Sequence, residues 1–351
     1  MRHSGIHILI PEDPDLLLGG YRYDQHMVDG LRAAGLTCEV HRLSGDFPWV
    51  DPVAAHRAST ELLDTLPGAT VLIDGILLPT LYEVIGRHAD RLRIVALVHH
   101  PAALESGLTR AERDDVQRRE LKALLCARRI IVTSPHTREV LSRSDIPVER
   151  IRVAVPGTDE APLASGSGPG ATSLHLLCVA ALIPRKGHMS LVEALGEIQD
   201  RPWRATFAGS LNRDPDTARR VRERISALGL EHRIALRGEV AASELQALYD
   251  GADLFVQPSL YEGYGMAISE AIARGLPVVS TTAGAIPSTA PAEASRLVEP
   301  GNVGALASAL ASLLDDPEER ARLAAGARRA RKRLLTWPEA TARFAAELER
   351  P

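Results

Sequence analysis

Twelve short apolar runs, in two sets of six, constrain the fold of this 351-residue chain more than any other feature. The first set lies near residues 6–10, 37–41, 71–74, 94–98, 130–133 and 151–155. The second lies near 174–180, 204–208, 233–237, 253–257, 277–281 and 296–298. Stretches with helical periodicity separate the runs, at 24–34, 111–126, 188–199, 215–227 and 242–250. Alternating strands and helices predict parallel sheets wound by helices, so we expect an α/β chain with two Rossmann-like domains.

The segment between the two sets predicts the domain boundary. Residues 162–170, PLASGSGPG, can bury little surface and should bend easily. We therefore predict a first domain at 1–160 and a second at 173–335. The last helix, within 336–351, follows two helices without partner strands and is expected to cross back onto the first domain. Because ligands of parallel sheets bind beyond the carboxyl ends of strands, we expect the two domains to face each other across a cleft.

Composition excludes several classes of protein. A hydrophobic fraction of 45% with 25% charged residues is typical of a soluble globular protein. No apolar run reaches the ~20 residues of a membrane span, and acids and prolines follow the start too soon for a signal peptide, so we expect a cytoplasmic protein. A net charge of -4 and 4% aromatic residues argue against nucleic-acid binding. Either a monomer or a dimer is compatible with the sequence.

Metal and disulfide sites are not predicted. The three cysteines, Cys38, Cys126 and Cys178, lie too far apart for a disulfide framework or a metal-ligand motif and are expected to be reduced and buried. Two acid pairs, Asp13 with Asp15 and Asp214 with Asp216, flank prolines in polar stretches. We interpret both as turns.

A glycine-rich turn with two glutamates is the strongest functional motif. It runs from Pro258 to Met266, with Glu262 inside it and Glu270 further along, between a predicted strand and a predicted helix at 266–274. A helix N-terminus attracts anions because its first N–H groups lack partners. Backbone amides could bind phosphate there while the two carboxylates accept hydrogen bonds from hydroxyls. A helix start with an acid nearby, and no ligand, is the open alternative.

A second motif places two cations, Arg185 and Lys186, just before the first helix of the second half. The helix dipole disfavours positive charge at this end, and no acid lies nearby in the sequence. An anionic ligand such as a diphosphate would remove the conflict, through the planar Arg185 fork and the mobile Lys186 ammonium. Two solvated side chains on a loop remain the alternative.

Weaker signals lie at other strand ends. His99, which ends the fourth strand of the first half, could hydrogen-bond a sugar. Its neighbour His100 is the less favoured of the two. Three further strand ends are predicted to approach the phosphate or the base of a ligand. Two of them carry small residues, Gly19 with Gly20 and Gly209 with Ser210, and the third carries Arg237 with Val240.

Taken together these residues resemble the retaining glycosyltransferases of family four. The pattern comprises Gly19-Gly20, His99, Arg185-Lys186-Gly187 and Glu262 to Glu270, followed by GLPVV at 275–279, and it covers nearly the whole chain. The resemblance implies the two-domain GT-B fold, a nucleoside-diphosphate sugar as donor, a first domain that binds the acceptor and a second that binds the donor. It implies no metal and no cofactor beyond the UDP- or GDP-sugar.

The resemblance also assigns roles. Arg185 and Lys186 would bind the diphosphate, Glu270 the ribose, and Glu262 the donor sugar. His99 would contact the transferred sugar. The remaining family positions would contribute backbone or border the base, at Gly20, Arg237, Val240, Tyr264, Gly265 and Met266.

One position departs from the family pattern. Where the family commonly has Gly-x-x-Pro-Glu, this chain has Gly284-Ala285-Ile286-Pro287-Ser288. We still expect a retaining transferase with an unidentified acceptor. Helix 110–129 carries seven basic residues against four acids, which keeps a lipid acceptor at a membrane surface open, but its apolar stripe is thin, so a small molecule is favoured slightly over a lipid. A sugar-nucleotide epimerase and a non-catalytic sugar-nucleotide-binding protein are the alternatives.

Overall fold

A computed structural model describes residues 5–12, 19–45, 47, 59–66, 68–168 and 170–349. They divide into two compact units, one at 1–157 plus 337–351 and the other at 158–336. The first unit contains strands β1 Ile6–Pro11, β2 Cys38–Leu43, β3 Thr70–Asp74, β4 Arg93–Val98, β5 Arg129–Val132 and β6 Ile151–Val153. Its helices are α1 Gly19–Ala33, α2 Leu78–His88, α3 Arg110–Cys126, α4 Pro135–Ser142 and, at the end of the chain, α12 Trp337–Glu349. Residues 59–64 are also helical.

The second unit repeats this architecture. Its strands are β7 Leu174–Val179, β8 Trp203–Ala208, β9 Ile234–Gly238, β10 Leu254–Gln257, β11 Val278–Thr281 and β12 Ser295–Val298. Its helices are α5 His188–Glu197, α6 Pro215–Ala227, α7 Ala242–Asp250, α8 Met266–Ala273, α9 Ile286–Thr289, α10 Val303–Asp315 and α11 Pro317–Ala330.

Each unit is built on one parallel six-stranded sheet. The strand order is β2-β1-β3-β4-β5-β6 in the first and β12-β11-β10-β7-β8-β9 in the second. Helices cover both faces of such a sheet, which is why its strands are nearly continuous apolar runs. The predicted fold class, two parallel α/β domains, is confirmed. All twelve predicted strands are present, with ends shifted by at most two residues.

The glycine- and proline-rich segment between the two sets of strands was predicted to be a linker that bends easily, but its described residues are hydrogen-bonded to the second unit. The Ala164 amide donates to the Arg274 carbonyl at 2.9 Å, and the Gly166 amide donates to the Asp250 carbonyl at 2.8 Å. Ser167 donates to the Asp253 carboxylate through its amide and its hydroxyl. The segment is therefore fastened to the second unit, because backbone carbonyls at the ends of α7 and α8 and the Asp253 carboxylate supply the acceptors that a free linker would find in water.

Helices α2 and α4 and the short helical segments at 59–64 and α9 are absent from the sequence-based prediction, and α1 starts earlier than expected. Helix α2 carries Pro79 in its first turn, where the missing N–H costs nothing, and buries Leu81, Val84 and Ile85. Helix α4 starts at Pro135 under a Ser134 cap. Helix α1 begins at Gly19, five residues before the predicted start at 24.

The last helix packs within the first unit. The ring of Tyr23 on α1 meets the rings of Trp337 and Phe344 edge-on, with centroids 6.3 and 6.2 Å apart. Arg129 at the start of β5 donates to the Glu347 carbonyl at 2.8 Å. Among the described residues, no helix combines the length and the apolar character that a membrane crossing needs.

Candidate functional site

In the second unit, the two predicted motifs meet at the carboxyl ends of neighbouring strands. Arg185 and Lys186 lie in a short 3-10 turn after β7 and before α5. Glu262 lies in the loop between β10 and α8. Strands β7 and β10 pair directly, so their following loops are adjacent. The Leu260 amide donates to the Arg185 carbonyl at 2.7 Å, which fixes the two loops together.

Two glycines permit this close approach. Gly187, the residue before α5, has φ 73°, and a Cβ there would lie 2.1 Å from the Pro258 carbonyl oxygen. Gly284 has φ 58°, and its Cβ would lie 2.3 Å from the Glu262 carbonyl oxygen. A side chain at either position would therefore push the glutamate loop away from its neighbours.

Glu262 is the centre of a buried hydrogen-bond network. Only 4% of the residue is exposed. Its Oε1 accepts hydrogen bonds from Lys186 Nζ at 2.6 Å, from Gln257 Nε2 at 2.6 Å and from Ser259 Oγ at 2.7 Å. Arg185 Nη1 lies 3.8 Å from Oε2. Burial raises the pKa of Glu262, but the charges of Lys186 and then Arg185 outweigh it and hold that pKa below its usual range.

The pair between Lys186 and Glu262 joins residues that are distant in the sequence. No acid lies near the two cations along the chain, but Glu262, 76 residues away, accepts from Lys186. Glu262 lies in the glycine-rich turn and Glu270 on the following helix, as predicted. Glu262 is buried, whereas Glu270 is half-buried and its Oε2 accepts from the Tyr249 hydroxyl at 3.0 Å.

The helices behind these loops present uncapped N-termini. Five other helices are capped by a side chain, at Thr109, Ser134, Asp214, Asn302 and Asp316. Among the described residues no side chain caps α5 or α8, which begin after the left-handed glycines Gly187 and Gly265. Their first N–H groups are thus in the state in which a helix attracts an anion.

His188, the first residue of α5, points inward. It is 1% exposed, and its Nε2 lies 3.6 Å from the Cys178 thiol. Burial and then Lys186 lower the pKa of His188 to about 3, so its ring is neutral. His188 therefore contributes packing to the site but no charge.

The other residues of this unit that were predicted to contact the donor lie at or just beyond the ends of β8 and β9. The Gly209 amide donates to the Gly238 carbonyl at 2.8 Å. Ser210 is 7% exposed, and its hydroxyl has no hydrogen-bond partner among the described residues. Arg237 is exposed and pairs with Glu244, and Val240 is half-buried.

Three further positions lie in or next to the Glu262 loop. Tyr264 and Met266 belong to the glycine-rich turn, and Ser288 is the position at which this chain departs from the family pattern. The Tyr264 carbonyl accepts from Thr289 Oγ1 at 2.6 Å, and Met266 is the first residue of α8. Burial raises the pKa of the Tyr264 hydroxyl to about 12. Ser288 is exposed on the short helix α9, and its hydroxyl donates to the Ala285 carbonyl of the same helix.

In the first unit, the half-buried His99 forms a cluster with two buried acids that sequence analysis missed. It follows β4, next to Asp74 at the end of β3, while Asp24 projects from α1. His99 Nε2 lies 3.0 Å from Asp24 Oδ1 and 3.5 Å from Asp74 Oδ2. The ring of Tyr23 packs edge-on against it, and a Cβ on Gly20 would lie 3.4 Å from its Cδ2.

The charges of this cluster follow from burial and proximity. Burial disfavours a charged imidazole, but the Asp24 carboxylate and its hydrogen bond, helped by Asp74, outweigh burial and raise the pKa of His99 to about 10. Burial raises the pKa of Asp24 to about 7, despite His99. For Asp74 burial acts upward as well, but the hydrogen bond from His99 keeps its pKa below the usual value. His99 is therefore an imidazolium at neutral pH.

Other residues singled out in the sequence have structural partners. His100 Nε2 lies 3.0 Å from Glu105 Oε2. Asp214 is the N-cap of α6 and Asp216 lies in the first turn of that helix, so this pair belongs to a helix start and not to the predicted turn, whereas Asp13 and Asp15 lie outside the described residues. All three cysteines are free, and Cys126 is only half-buried.

Comparison with known proteins identifies glycosyltransferases that resemble this chain. Residues 166–330 match the family model of glycosyl transferases group 1. The D-inositol 3-phosphate glycosyltransferase of Corynebacterium glutamicum is 32% identical over 66% of this chain and 61% of its own length. The chain spans about three fifths of the length of the relatives it matches.

Solved structures match the fold of nearly the whole chain. Sucrose-phosphate synthase from Thermosynechococcus elongatus has a TM-score of 0.81 at 21% identity, with 98% of both chains covered. Anabaena Alr3699/HepE, solved with UDP and glucose, has a TM-score of 0.78 at 18% identity, covering 99% of this chain and 100% of its own. The match to the glycosyl transferases of group 1 falls on the second unit, which carries the Arg185-Lys186 and Glu262 motifs, and agrees with the family that those motifs resemble.

Proposed function

We propose that this protein is a retaining glycosyltransferase that moves a sugar from a nucleoside-diphosphate sugar, with UDP or GDP as the nucleoside diphosphate, to a hydroxyl of a small acceptor. The observation that carries the proposal is the junction of the Arg185-Lys186 turn with the Glu262 loop, beside two uncapped helix N-termini. Cations and backbone amides that converge at one place fit a diphosphate. The UDP and glucose held by the fold neighbour HepE support the same class of donor.

In this proposal, different residues of the second unit bind different parts of the donor. Arg185 and Lys186 bind the diphosphate, and Glu270 binds the ribose. The buried Ser210 hydroxyl has no hydrogen-bond partner among the described residues, and a bound nucleotide can provide one. Gly209, Arg237 and Val240 border the base.

The diphosphate and Glu262 compete for Lys186. Without ligand, Glu262 holds the Lys186 ammonium at 2.6 Å. A diphosphate that attracts this ammonium leaves Oε1 of Glu262 with two of its three donors, so the carboxylate can accept a hydroxyl of the donor sugar. One side-chain movement then couples diphosphate binding to sugar binding.

Catalysis rests on stabilising the leaving diphosphate. The acceptor oxygen bonds to the anomeric carbon as the bond to the diphosphate oxygen breaks, and the acceptor proton passes to the departing phosphate. Arg185, Lys186 and the helix amides neutralise the charge that develops there, the electrostatic term that is usually the largest in enzymes. We propose that these cations do this work without a metal ion.

His99 acts in this scheme as a fixed cation and hydrogen-bond donor to the transferred sugar. Asp24 and Asp74 hold its ring through Nε2 and keep it protonated. A group that stays charged at neutral pH cannot take a proton from the acceptor, so His99 is not the base of an inverting reaction. Asp24 and Asp74 are positioning residues.

Changing Asp24 to asparagine should lower the pKa of His99 by about 1 to 3 units, because an adjacent carboxylate is lost. In the wild type His99 stays protonated up to pH about 10, so transfer should be flat between pH 7 and 9. In Asp24→Asn, transfer should fall as pH rises through this range. NMR titration of the His99 ring and the pH dependence of kcat measure both effects.

Asp29→Asn, an exposed carboxylate on the same helix, is the matched control and should change neither measurement. A wild-type His99 that titrates near 6.5, the ordinary histidine value, would show that the acids do not hold its proton.

The acceptor proposal rests on two of the similar proteins, whereas a third, a mannosyltransferase, is named for a phosphatidylinositol mannoside. The Corynebacterium glutamicum relative is named for a phosphorylated inositol and the Thermosynechococcus fold neighbour for sucrose phosphate, both small and polar. We therefore favour a small hydroxyl-bearing acceptor over a lipid.

The product decides the proposed function. Transfer from an α-linked UDP- or GDP-sugar should give an α-glycoside, read from the anomeric proton coupling of fresh product. The assay includes a strong chelator, and we expect equal turnover with and without it. A β-linked product contradicts retention; a sugar changed without any acceptor indicates an epimerase; tight donor binding without turnover indicates a binding protein.

A further inference from the structure

A cluster of two histidines and one glutamate lies on the first sheet, outside the candidate functional site. His7 is the second residue of β1, and Glu39 and His41 lie on the edge strand β2. His7 is in register with Glu39, and alternate residues of a strand face the same side, so all three side chains project from one face. The cluster lies toward the amino ends of these strands, whereas His99 follows the carboxyl end of β4.

The three side chains bring potential ligand atoms close together. His7 Nδ1 lies 3.0 Å from His41 Nε2 and 3.5 Å from Glu39 Oε2. His41 Nε2 lies 3.8 Å from Glu39 Oε1. An ion with bonds of about 2.0 to 2.1 Å in tetrahedral geometry separates its ligand atoms by roughly 3.3 Å, within this range.

The rings need only turn to admit an ion. Their centroids are 5.3 Å apart and their planes differ by 20°, so the two nitrogens face each other as in an N–H···N hydrogen bond. Two imidazoles on one tetrahedral ion have ring centres roughly 5.2 Å apart. A small rotation of each ring at constant separation converts the hydrogen-bonded pair into a pair of ligands.

Burial makes the cluster suitable for such a site. The side chains of His7 and His41 are 13% and 16% exposed, which restricts their rotamers, while the Glu39 side chain is 63% exposed. Two imidazoles are thus held in place, and a mobile carboxylate at the water-facing side can close over an ion. The remaining coordination position is open to water.

We propose that His7, Glu39 and His41 form a binding site for one borderline divalent cation, Zn²⁺ being the best match. Two imidazole nitrogens and one carboxylate are ligands that Zn²⁺ commonly takes, and they are poorly suited to Mg²⁺ or Ca²⁺, which prefer oxygen. The ion would join the edge strand β2 to β1. It would stabilise the first unit without entering the proposed sugar transfer.

Zinc binding to the metal-free protein tests the proposal. Calorimetry with Zn²⁺ alone compares the parent with His41→Gln and with Glu39→Gln. The exposed His232, in the second unit, supplies the matched control His232→Gln. All four proteins carry His3→Ala, so that this histidine, which lies outside the described residues, contributes no ligand.

We expect one Zn²⁺ per chain in the parent and in His232→Gln, and affinity at least about tenfold weaker in the other two variants, since even loss of a ligand's hydrogen-bonding partner costs this much. Zn²⁺ should also raise the Tm of the parent and of His232→Gln only, because it binds the folded state. Sugar transfer should not change. Equal zinc affinity in the parent and in Glu39→Gln and His41→Gln overturns the proposal, as does a parent that takes up no zinc. Should His41→Gln fail to fold, Glu39→Gln, altered at an exposed side chain, still decides.

Discussion

Replacing Arg185 and Lys186 together with alanine should weaken nucleoside-diphosphate binding by about 100-fold or more. Each cation is expected to contribute a charge-assisted hydrogen bond of roughly 1.5 to 3 kcal/mol to the diphosphate. The nucleotide sugar should lose affinity in parallel, because the lost contacts involve the diphosphate that both ligands share. Calorimetry with the free nucleoside diphosphate and with the sugar nucleotide measures both losses.

Two controls separate ligand contact from other causes. Arg219→Ala with Arg222→Ala removes the same charge from the exposed side of α6 in the same unit and should leave affinity nearly unchanged. Lys186→Ala also leaves Glu262 buried beside fewer cations, so the contribution of Lys186 is measured again in the Glu262→Gln background. Equal affinity in Glu262→Gln with and without Lys186→Ala would mean that Lys186 serves only as the partner of Glu262.

Replacing Glu262 with alanine should lower the free energy of unfolding by about 3 kcal/mol, as loss of one partner of a buried ion pair does. Lys186, Gln257 and Ser259 would lose their shared acceptor at once. Urea unfolding measures this loss, with separate transitions fitted when the two units unfold separately. In the milder variant Glu262→Gln, transfer should fall about 10- to 100-fold, equivalent to one charged hydrogen bond in the transition state.

Glu193→Ala is the matched stability control. Glu193 pairs with Arg224 at 2.7 Å in the same unit, but both side chains are over 30% exposed, so its loss should cost less than about 1 kcal/mol. Nucleoside-diphosphate affinity should hold or tighten in Glu262→Gln, because a negative charge beside the diphosphate cations is removed. An affinity that falls as far as turnover does would contradict the division of roles between Glu262 and the cations.

The strands could be predicted because each is a local signal. Parallel strands covered on both faces need apolar residues throughout, and runs such as 94–98 and 174–179 have that composition. Helices α2 and α4 were harder to predict, because each combines a proline in its first turn, a residue that also ends helices, with a shorter periodic stretch than α6, which begins at a proline as well.

The chemistry of the site depends on contacts that no local pattern contains. Glu262 and Lys186 are 76 residues apart, and only the pairing of β7 with β10 brings them together. His99 could be proposed from its strand-end position, whereas Asp24 lies 75 residues before it on a helix. Asp24 stands three and four residues before Met27 and Val28, on the face where the apolar residues of α1 recur, and this helical spacing was the signal that Asp24 faces inward.

The position of α12 has a consequence for synthesis. Helix α12 belongs to the first unit, where Phe344 packs on Tyr23 and Glu347 pairs with Arg129, so that unit is interrupted in the sequence by residues 158–336. A growing chain completes the contiguous second unit before the ribosome has made α12. Domains usually fold in order from the N-terminus. Here we expect the first unit to complete its folding only after the second unit has folded, when α12 becomes available.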